Sequence, residues 1–221
     1  MTIILTHNQQ ALWTESNILS NLLDVDGNPK TLKDILSEVT DYAIRRTIEK
    51  TGCKAGRVKQ EDEYKNTFGW MGEVLCEFWL RTFGHRLDLC NICDTSYNQF
   101  QRGYDFTASV IIDPMLAALI QIKMQSEDRV FTRSSLYTLL DEVHNSKILP
   151  RYTILMVPTA ESTKGDMLSW KEDFKRDYSS QLIFIGQKKM DEEILSLPTK
   201  IQGDNANLEF FIRFRECLNL L

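Results

Sequence analysis

Proline and glycine are scarce in this chain, 5 and 10 of 221 residues, which excludes a collagen-like or low-complexity polymer. No stretch approaches the roughly 18 to 20 consecutive apolar residues that a membrane-spanning helix needs. The residues from Met1 to His7 lack a basic n-region, and their apolar run breaks at Thr6-His7-Asn8. These features predict no leader peptide and a cytoplasmic protein. Cysteine is limited to five residues, an odd number at irregular spacing, so free thiols are expected. An excess of positive charge is also missing: 26 Lys and Arg stand against 31 Asp and Glu, a net charge of -5. That balance argues against tight binding to polyanions over the whole surface and leaves room for a local basic patch. There is no Walker-type Gly-Lys-Ser/Thr and no Gly-x-Gly-x-x-Gly, so no nucleotide cofactor is expected. A Gly-x-Ser-x-Gly elbow is absent as well, which removes the simplest serine-hydrolase reading. His7, His85 and His144 occur singly, without a His-x-His or His-Glu-x-x-His context.

What is present is enough apolar residue, 43%, to build one sizeable core without disulfides or a structural metal. The first sixty residues read as helical. Thr31 can cap a helix after the Asn28-Pro29 turn, and Leu32, Ile35, Leu36, Val39 and Ala43 form a stripe that runs toward Lys50 and stops at Gly52. A second helix is written in Tyr64 to Phe83, with Phe68, Met71, Leu75, Phe78, Trp79 and Thr82 on a buried face. Glu73 and Glu77, four residues apart, share a different face. Gly84 ends that helix.

Arg86 to Ile92 alternates weakly as a first strand. Tyr104 to Ile112 alternates clearly, with Tyr104, Phe106, Ala108, Val110 and Ile112 facing one way and Asp105, Thr107 and Ser109 the other. After a turn at Asp113-Pro114, Leu116 to Gln125 reads as a third strand in which Ala118, Ile120, Ile122 and Met124 alternate with Leu119, Gln121, Lys123 and Gln125. A loop of Asp113, Pro114 and Met115 puts both apolar sets on a common face. It pairs Ile112 with Leu116, and therefore Asp105 with Lys123 and Thr107 with Gln121. Downstream, Ser134 to Asn145 reads as a helix, Arg151 to Pro158 and Gln181 to Gly186 as strands, and Met167 to Tyr178 and Asn207 to Leu220 as amphipathic helices. The predicted class is α/β, a mixed sheet flanked by helices, with a helical N-terminal extension.

Three polar residues, Asp105, Gln121 and Lys123, interrupt the otherwise apolar hairpin. A carboxylate, an amide oxygen and an ammonium in that position suit divalent-metal phosphodiester hydrolysis. Mg²⁺ takes hard oxygen ligands, and a nearby lysine can orient water and offset phosphate charge. The bland alternative puts Gln121 in solvent and pairs Lys123 with Asp105 as an ordinary cross-strand ion pair.

The segments Gly69-Trp-Met-Gly-Glu73, Gly103-Tyr-Asp105 and Gln121-Ile-Lys123, in an order of helix, three strands, helix and strand, resemble the PD-(D/E)XK nuclease superfamily with its restriction-endonuclease-like fold. The resemblance covers about residues 64–158. It implies a Mg²⁺-dependent DNA endonuclease, restriction-like of type II. Asp105 would be the first metal ligand and Gln121 would stand in place of the second acidic one. The backbone carbonyl of Ile122 would be a further ligand, Glu73 the helix glutamate directed to the metal, and Lys123 the catalytic lysine. Tyr104 occupies the position of the name-giving proline. On this reading residues 1–221 form a single domain, with a helical part at 1–60, the nuclease core at 64–158 and additions at 160–221. Alternatives are a catalytically silent nucleic-acid-binding or interaction domain of the same fold, or an RNA-directed nuclease.

Between Ala43 and Gln60, Arg45, Arg46, Lys50, Lys54, Arg57 and Lys59 face one acid, Glu49, a surplus of five positive charges. They form a candidate DNA-contacting surface. A solvated helix end followed by a loop is the plainer reading, since cations at a helix C-terminus also favour its dipole. Arg129 and Arg133 are weaker candidates. Cys90-Asn-Ile-Cys93 has half a zinc site's spacing but no second pair. Phe210, Phe211 and Phe214 can pack inside or against a second copy. Cutting both strands of a duplex needs two active sites, which makes a homodimer the expected assembly.

Overall fold

In the computed structural model the described residues are 7–94, 105–110, 117–124, 150–160, 167–178, 180–199 and 205–219. Among them the elements run α1 (His7–Ser16), α2 (Leu32–Thr51), α3 (Asp62–Phe83), β1 (Leu89–Asp94), β2 (Phe106–Val110), β3 (Ala117–Ile122), β4 (Tyr152–Val157), α4 (Met167–Tyr178), β5 (Gln181–Gly186), α5 (Gln187–Leu195) and α6 (Ala206–Cys217). The chain divides into two compact units, one of Met1–Phe78 with Lys189–Leu221 and one of Trp79–Lys188.

The first unit is helical, and its local signals explain its elements. Thr31 caps α2 in a capping box: its side chain accepts from the Asp34 N–H, while the Asp34 carboxylate accepts from the Thr31 N–H at 2.7 Å. The expected stripe of Leu32, Ile35, Leu36, Val39 and Ala43 is buried. Gly52 ends the helix at φ 67, a left-handed conformation that a side chain would strain, and its N–H closes on the Ile48 carbonyl at 2.8 Å. On α3 the expected face of Phe68, Met71, Leu75, Phe78 and Trp79 is buried, with Thr82 half-buried. Burial also reaches Val74, Cys76, Glu77 and Leu80, so the helix is covered over more of its circumference than one stripe.

On α6 the three phenylalanines pack inside the unit. Phe210 and Phe214 lie 5.1 Å from the Phe78 ring, Phe214 lies 5.0 Å from Trp13, and Phe211 is fully buried. That settles the alternative in favour of the interior. Asn205 caps α6 by accepting from the Asn207 N–H at 2.8 Å.

The second unit holds a five-stranded mixed sheet in the order β1-β2-β3-β4-β5, and helices flank it. β1, β2 and β3 form an antiparallel meander, and β4 and β5 join in parallel. All six residues of β4 are buried, the near-continuous apolar run expected of an interior parallel strand. The first strand starts later than the sequence predicted. Gly84–Leu87 forms a 3₁₀ turn and Asp88 adopts φ 59 before β1 begins. A Cβ on Gly84 would meet Ile92 Cδ1 at 3.1 Å, a tight contact that a larger residue could keep only if the Ile92 side chain shifted by a few tenths of an ångström.

The hairpin register needs a correction. Phe106 pairs with Ile120, Thr107 with Leu119, Ala108 with Ala118 and Ser109 with Ala117. This is a slip of two residues from the expected pairing. Periodicity fixes which face a side chain takes, and a two-residue slip preserves every face, so the pattern could not distinguish the two registers.

Helix α5 follows β5 with no intervening loop and was not expected; its stretch Gln187 to Leu195 is mostly polar and buries Met190 and Ile194. The expected helix from Ser134 to Asn145, the turn at Asp113 to Met115, and Tyr104, Arg129, Arg133 and His144 lie outside the described residues. Among the described residues no helix is long and apolar enough to cross a membrane. All five cysteines are free thiols.

Candidate metal centre of the hairpin

Asp105 stands at the bend that precedes β2. Its N–H donates to the Ile120 carbonyl at 2.8 Å, and its Oδ2 accepts from the Ile122 N–H at 2.5 Å. The carboxylate therefore fills an acceptor position that the ladder would otherwise give to a backbone carbonyl, and it is held against β3 by a charge-assisted bond. Continuing the register by one residue puts Asp105 opposite Gln121, where the sequence had put it opposite Lys123.

Gln121 sits between Asp105 on one side and Leu155 of β4 on the other. It is 3% exposed, and its Oε1 has no hydrogen-bond partner among the described residues. The bland expectation of a solvent-facing glutamine is thus overturned. A buried amide oxygen without a donor is a rare and unfavourable arrangement in a folded protein.

Lys123 continues the strand by donating its N–H to the Met156 carbonyl at 2.9 Å, and its side chain is half-buried. By strand alternation it shares a face with Gln121, and Ile122 turns its side chain to the opposite, apolar face, where it is buried beside Met156. The N–H and C=O of one strand residue point to the same side. Ile122 therefore directs its carbonyl toward the side on which its N–H meets Asp105. The carboxylate, the buried amide oxygen and the main-chain carbonyl stand at neighbouring positions of β2 and β3, and each is an oxygen donor of the kind a hard cation such as Mg²⁺ takes. The unpartnered Oε1 is the feature that such an ion would satisfy. Among the described residues no group of three or more His, Cys, Asp or Glu stands together that could hold a metal ion.

Glu73 belongs to the first unit, half-buried on α3, while Glu77 one turn later is 3% exposed. Trp70 on the same helix is 38% exposed.

The six cations of the basic stretch, all in the first unit, do not behave alike. Arg46 donates through Nη1 to Glu15 and through Nε to Glu63 at 3.0 Å, and Lys50 reaches Glu63 at 2.8 Å. Tyr42 joins by donating to Glu15 at 3.1 Å. Burial raises the Tyr42 phenol above its ordinary value; the hydrogen bond from Arg46 opposes that shift. The Lys50 hydrogen bond first, and the Arg46 bond after it, hold the Glu63 carboxyl below its ordinary range against the opposing effect of burial. Arg46 and Lys50 are therefore internal struts of the unit. The sequence missed this because Glu15 lies far along the chain, although Glu63 at the acidic start of α3 was a visible signal. Arg45, Lys54, Arg57 and Lys59 are exposed and form no ion pair among the described residues. Lys54 occupies the N-cap position of the 3₁₀ turn Ala55–Gln60, which carries Arg57 and Lys59, without a side-chain capping bond. Cys90 and Cys93 bracket an irregularity in β1 where Asn91 takes φ 49.

No protein-family model matches this chain, and no curated protein matches it.

Proposed function

We propose that this protein is a Mg²⁺-dependent DNA endonuclease built on a restriction-endonuclease-like core. The observation that carries the reading is Gln121, a buried amide whose oxygen has no donor among the described residues and whose cross-strand neighbour is the carboxylate of Asp105. Mg²⁺ held by Asp105, Gln121 Oε1 and the Ile122 carbonyl would polarise the scissile phosphate and acidify a bound water. The Ile122 N–H fixes the Asp105 carboxylate in orientation, as an outer partner does for a metal ligand. Lys123, two residues beyond Gln121, offsets charge on the phosphate and orients the attacking water. Arg45, Lys54, Arg57 and Lys59 contact phosphates, and Arg46 and Lys50 brace the helix that presents Arg45. Two copies act together where both strands of a duplex are cut.

A second reading, a silent nucleic-acid-binding domain, draws on the same residue: Gln121 brings no charge, so of the pair Asp105 and Gln121 only one is a carboxylate. One experiment separates them. The full chain is incubated with duplex DNA, single-stranded DNA and RNA, with Mg²⁺ or with chelator. Chelator-sensitive cutting of duplex DNA that Lys123→Ala abolishes, with unchanged circular dichroism, supports the enzyme. Cutting confined to RNA moves the substrate assignment. Binding without cutting under Mg²⁺ or Mn²⁺ leaves the silent domain.

A further inference from the structure

β1 stands at the end of the sheet order, next to β2 alone, and carries the two cysteines of Cys90-Asn-Ile-Cys93. In a regular strand, residues three apart point to opposite faces of the sheet. Here they do not. Cys90 lies opposite Ser109 and Cys93 opposite Thr107, so Asn91 and Ile92 together face Ala108 alone. This is a β-bulge, and Asn91 at φ 49 supplies its left-handed residue. Ser109 and Thr107 are two apart on β2 and share a face, so their partners on β1 share it too. The extra residue thus brings onto one side two thiols that plain alternation would separate. That side is opposite the one on which Phe106 and Ala108 are buried.

The two thiols are spaced like residues two apart on a strand, about 6.6 to 6.8 Å between Cα atoms. A disulfide spans about 4.4 to 6.8 Å, so the pair falls at the long end of the bridgeable range. A bond closed there is strained and readily reduced, which suits a reversible link rather than a structural one. Cys93 is exposed and Cys90 half-buried. The Cys93 thiol donates to the Asn91 carbonyl at 3.3 Å, which turns its sulfur back along the strand toward the bulge. Cys53, Cys76 and Cys217 all belong to the first unit, so within the second unit each of these two thiols has only the other as a partner.

We propose that Cys90 and Cys93 form a two-cysteine oxidation site, closed by a low-molecular-weight disulfide such as glutathione disulfide and reopened by a thiol. The exposed Cys93 thiolate attacks one sulfur of the oxidant, forming a mixed disulfide and releasing one glutathione thiolate. The Cys90 thiolate then attacks the Cys93 sulfur and expels the second. One S–S bond forms in the protein as one breaks in the oxidant. Two electrons and the two cysteine protons pass to glutathione. The site depends on β1 and β2 alone and is independent of the nuclease reading.

The test equilibrates the full chain in glutathione redox buffers, alkylates it after denaturation and maps the product by mass. Of the five thiols of the reduced chain, Cys90 and Cys93 should be lost together to a bond within one chain, and excess dithiothreitol should restore both. Cys90→Ser should stop at the mixed disulfide, with one glutathione on Cys93. Asn91→Val disfavours the left-handed residue of the bulge. It should lower at least threefold the squared glutathione concentration, divided by that of its disulfide, at which half the pair is oxidised. If Asn91→Val does not fold, the map of the parent protein decides alone. Retention of all five thiols in excess glutathione disulfide, glutathione left on Cys93 of the parent, or a bond to Cys53, Cys217 or a second chain would overturn the proposal. A folded Asn91→Val protein that oxidises at the same ratio as the parent would overturn it as well.

Discussion

Two polar clusters in this protein end differently. In the first unit, Arg46, Lys50, Tyr42, Glu15 and Glu63 satisfy one another in a closed network, and two of the six cations nominated as ligand contacts are consumed by it. In the second unit, Gln121 is buried in the sheet, its amide oxygen unanswered among the described residues, beside a carboxylate already fixed by a backbone N–H. A closed network rigidifies the fold and needs no ligand. An unanswered buried acceptor lowers stability and is tolerated where something else completes it. The contrast sorts flagged residues by whether their bonding is finished inside the chain.

The largest effect expected from this contrast is at Lys123. Its replacement by alanine should reduce Mg²⁺-dependent cutting by at least about 100-fold, the lower end for a group acting on the transferred proton or the developing charge. Retained turnover in a folded Lys123→Ala protein would remove the lysine from the site. Asp105 gives a sharper division. Asp105→Asn keeps an oxygen that can accept from the Ile122 N–H, so it should abolish cutting while leaving the urea midpoint almost unchanged. Asp105→Ala strands that N–H and should cost about 1 to 3 kcal/mol as well. Equal stability for the two variants would show that the short bond to Ile122 is not what holds the strand start.

Gln121 should show the opposite sign. Gln121→Leu replaces an unpartnered buried amide by a side chain of similar size with nothing to satisfy. It should raise stability by about 1 to 2 kcal/mol in metal-free buffer. The same variant should lose the increase in melting temperature that Mg²⁺ confers on the parent. Lower stability would mean that the amide has found a donor, and the comparison with the closed network would fail.

Much of this was legible in the sequence, and the parts that were not share a cause. The capping box of Thr31 and Asp34, the stripe of α2 and its stop at Gly52 are local, so neighbouring residues suffice to read them. The faces of β2 and β3 were legible for the same reason. Their register was not, because the slip that puts Asp105 opposite Gln121 leaves the apolar alternation intact. The burial of Gln121 depends on what covers the second face of the sheet, which no period within the strand encodes. The neutralisation of Arg46 depends on Glu15 in another helix.

The basic stretch tests the comparison from the closed side. Joint replacement of Lys54, Arg57 and Lys59 by alanine should weaken DNA binding at every sequence. It should also reduce the slope of log K against log salt by roughly 0.9 for each phosphate that is no longer neutralised. Arg46→Ala should leave that slope unchanged, because its guanidinium is already occupied by Glu15 and Glu63. A slope change in Arg46→Ala equal to that of the exposed lysines would make the network a reserve of DNA-binding cations rather than a strut.

The smallest effect is the pH dependence of the network. Glu63 is held below its ordinary value of 4.5, chiefly by the hydrogen bond from Lys50 and further by Arg46. A carboxyl whose folded value is depressed contributes stability that is complete above its unfolded value and lost as pH falls through the folded one. Glu63→Gln retains a bond acceptor but removes the charge. The variant should be less stable than the parent at neutral pH by no more than about 1 kcal/mol, as solvent-screened ion pairs are. The difference should shrink as pH falls below 4.5, and at neutral pH it should shrink in high salt, which screens the pairing. Urea midpoints of the two proteins across that range read it directly. A gap that stays constant with pH would assign the role of Glu63 to packing, and Arg46 and Lys50 would then return to the pool of cations available to DNA.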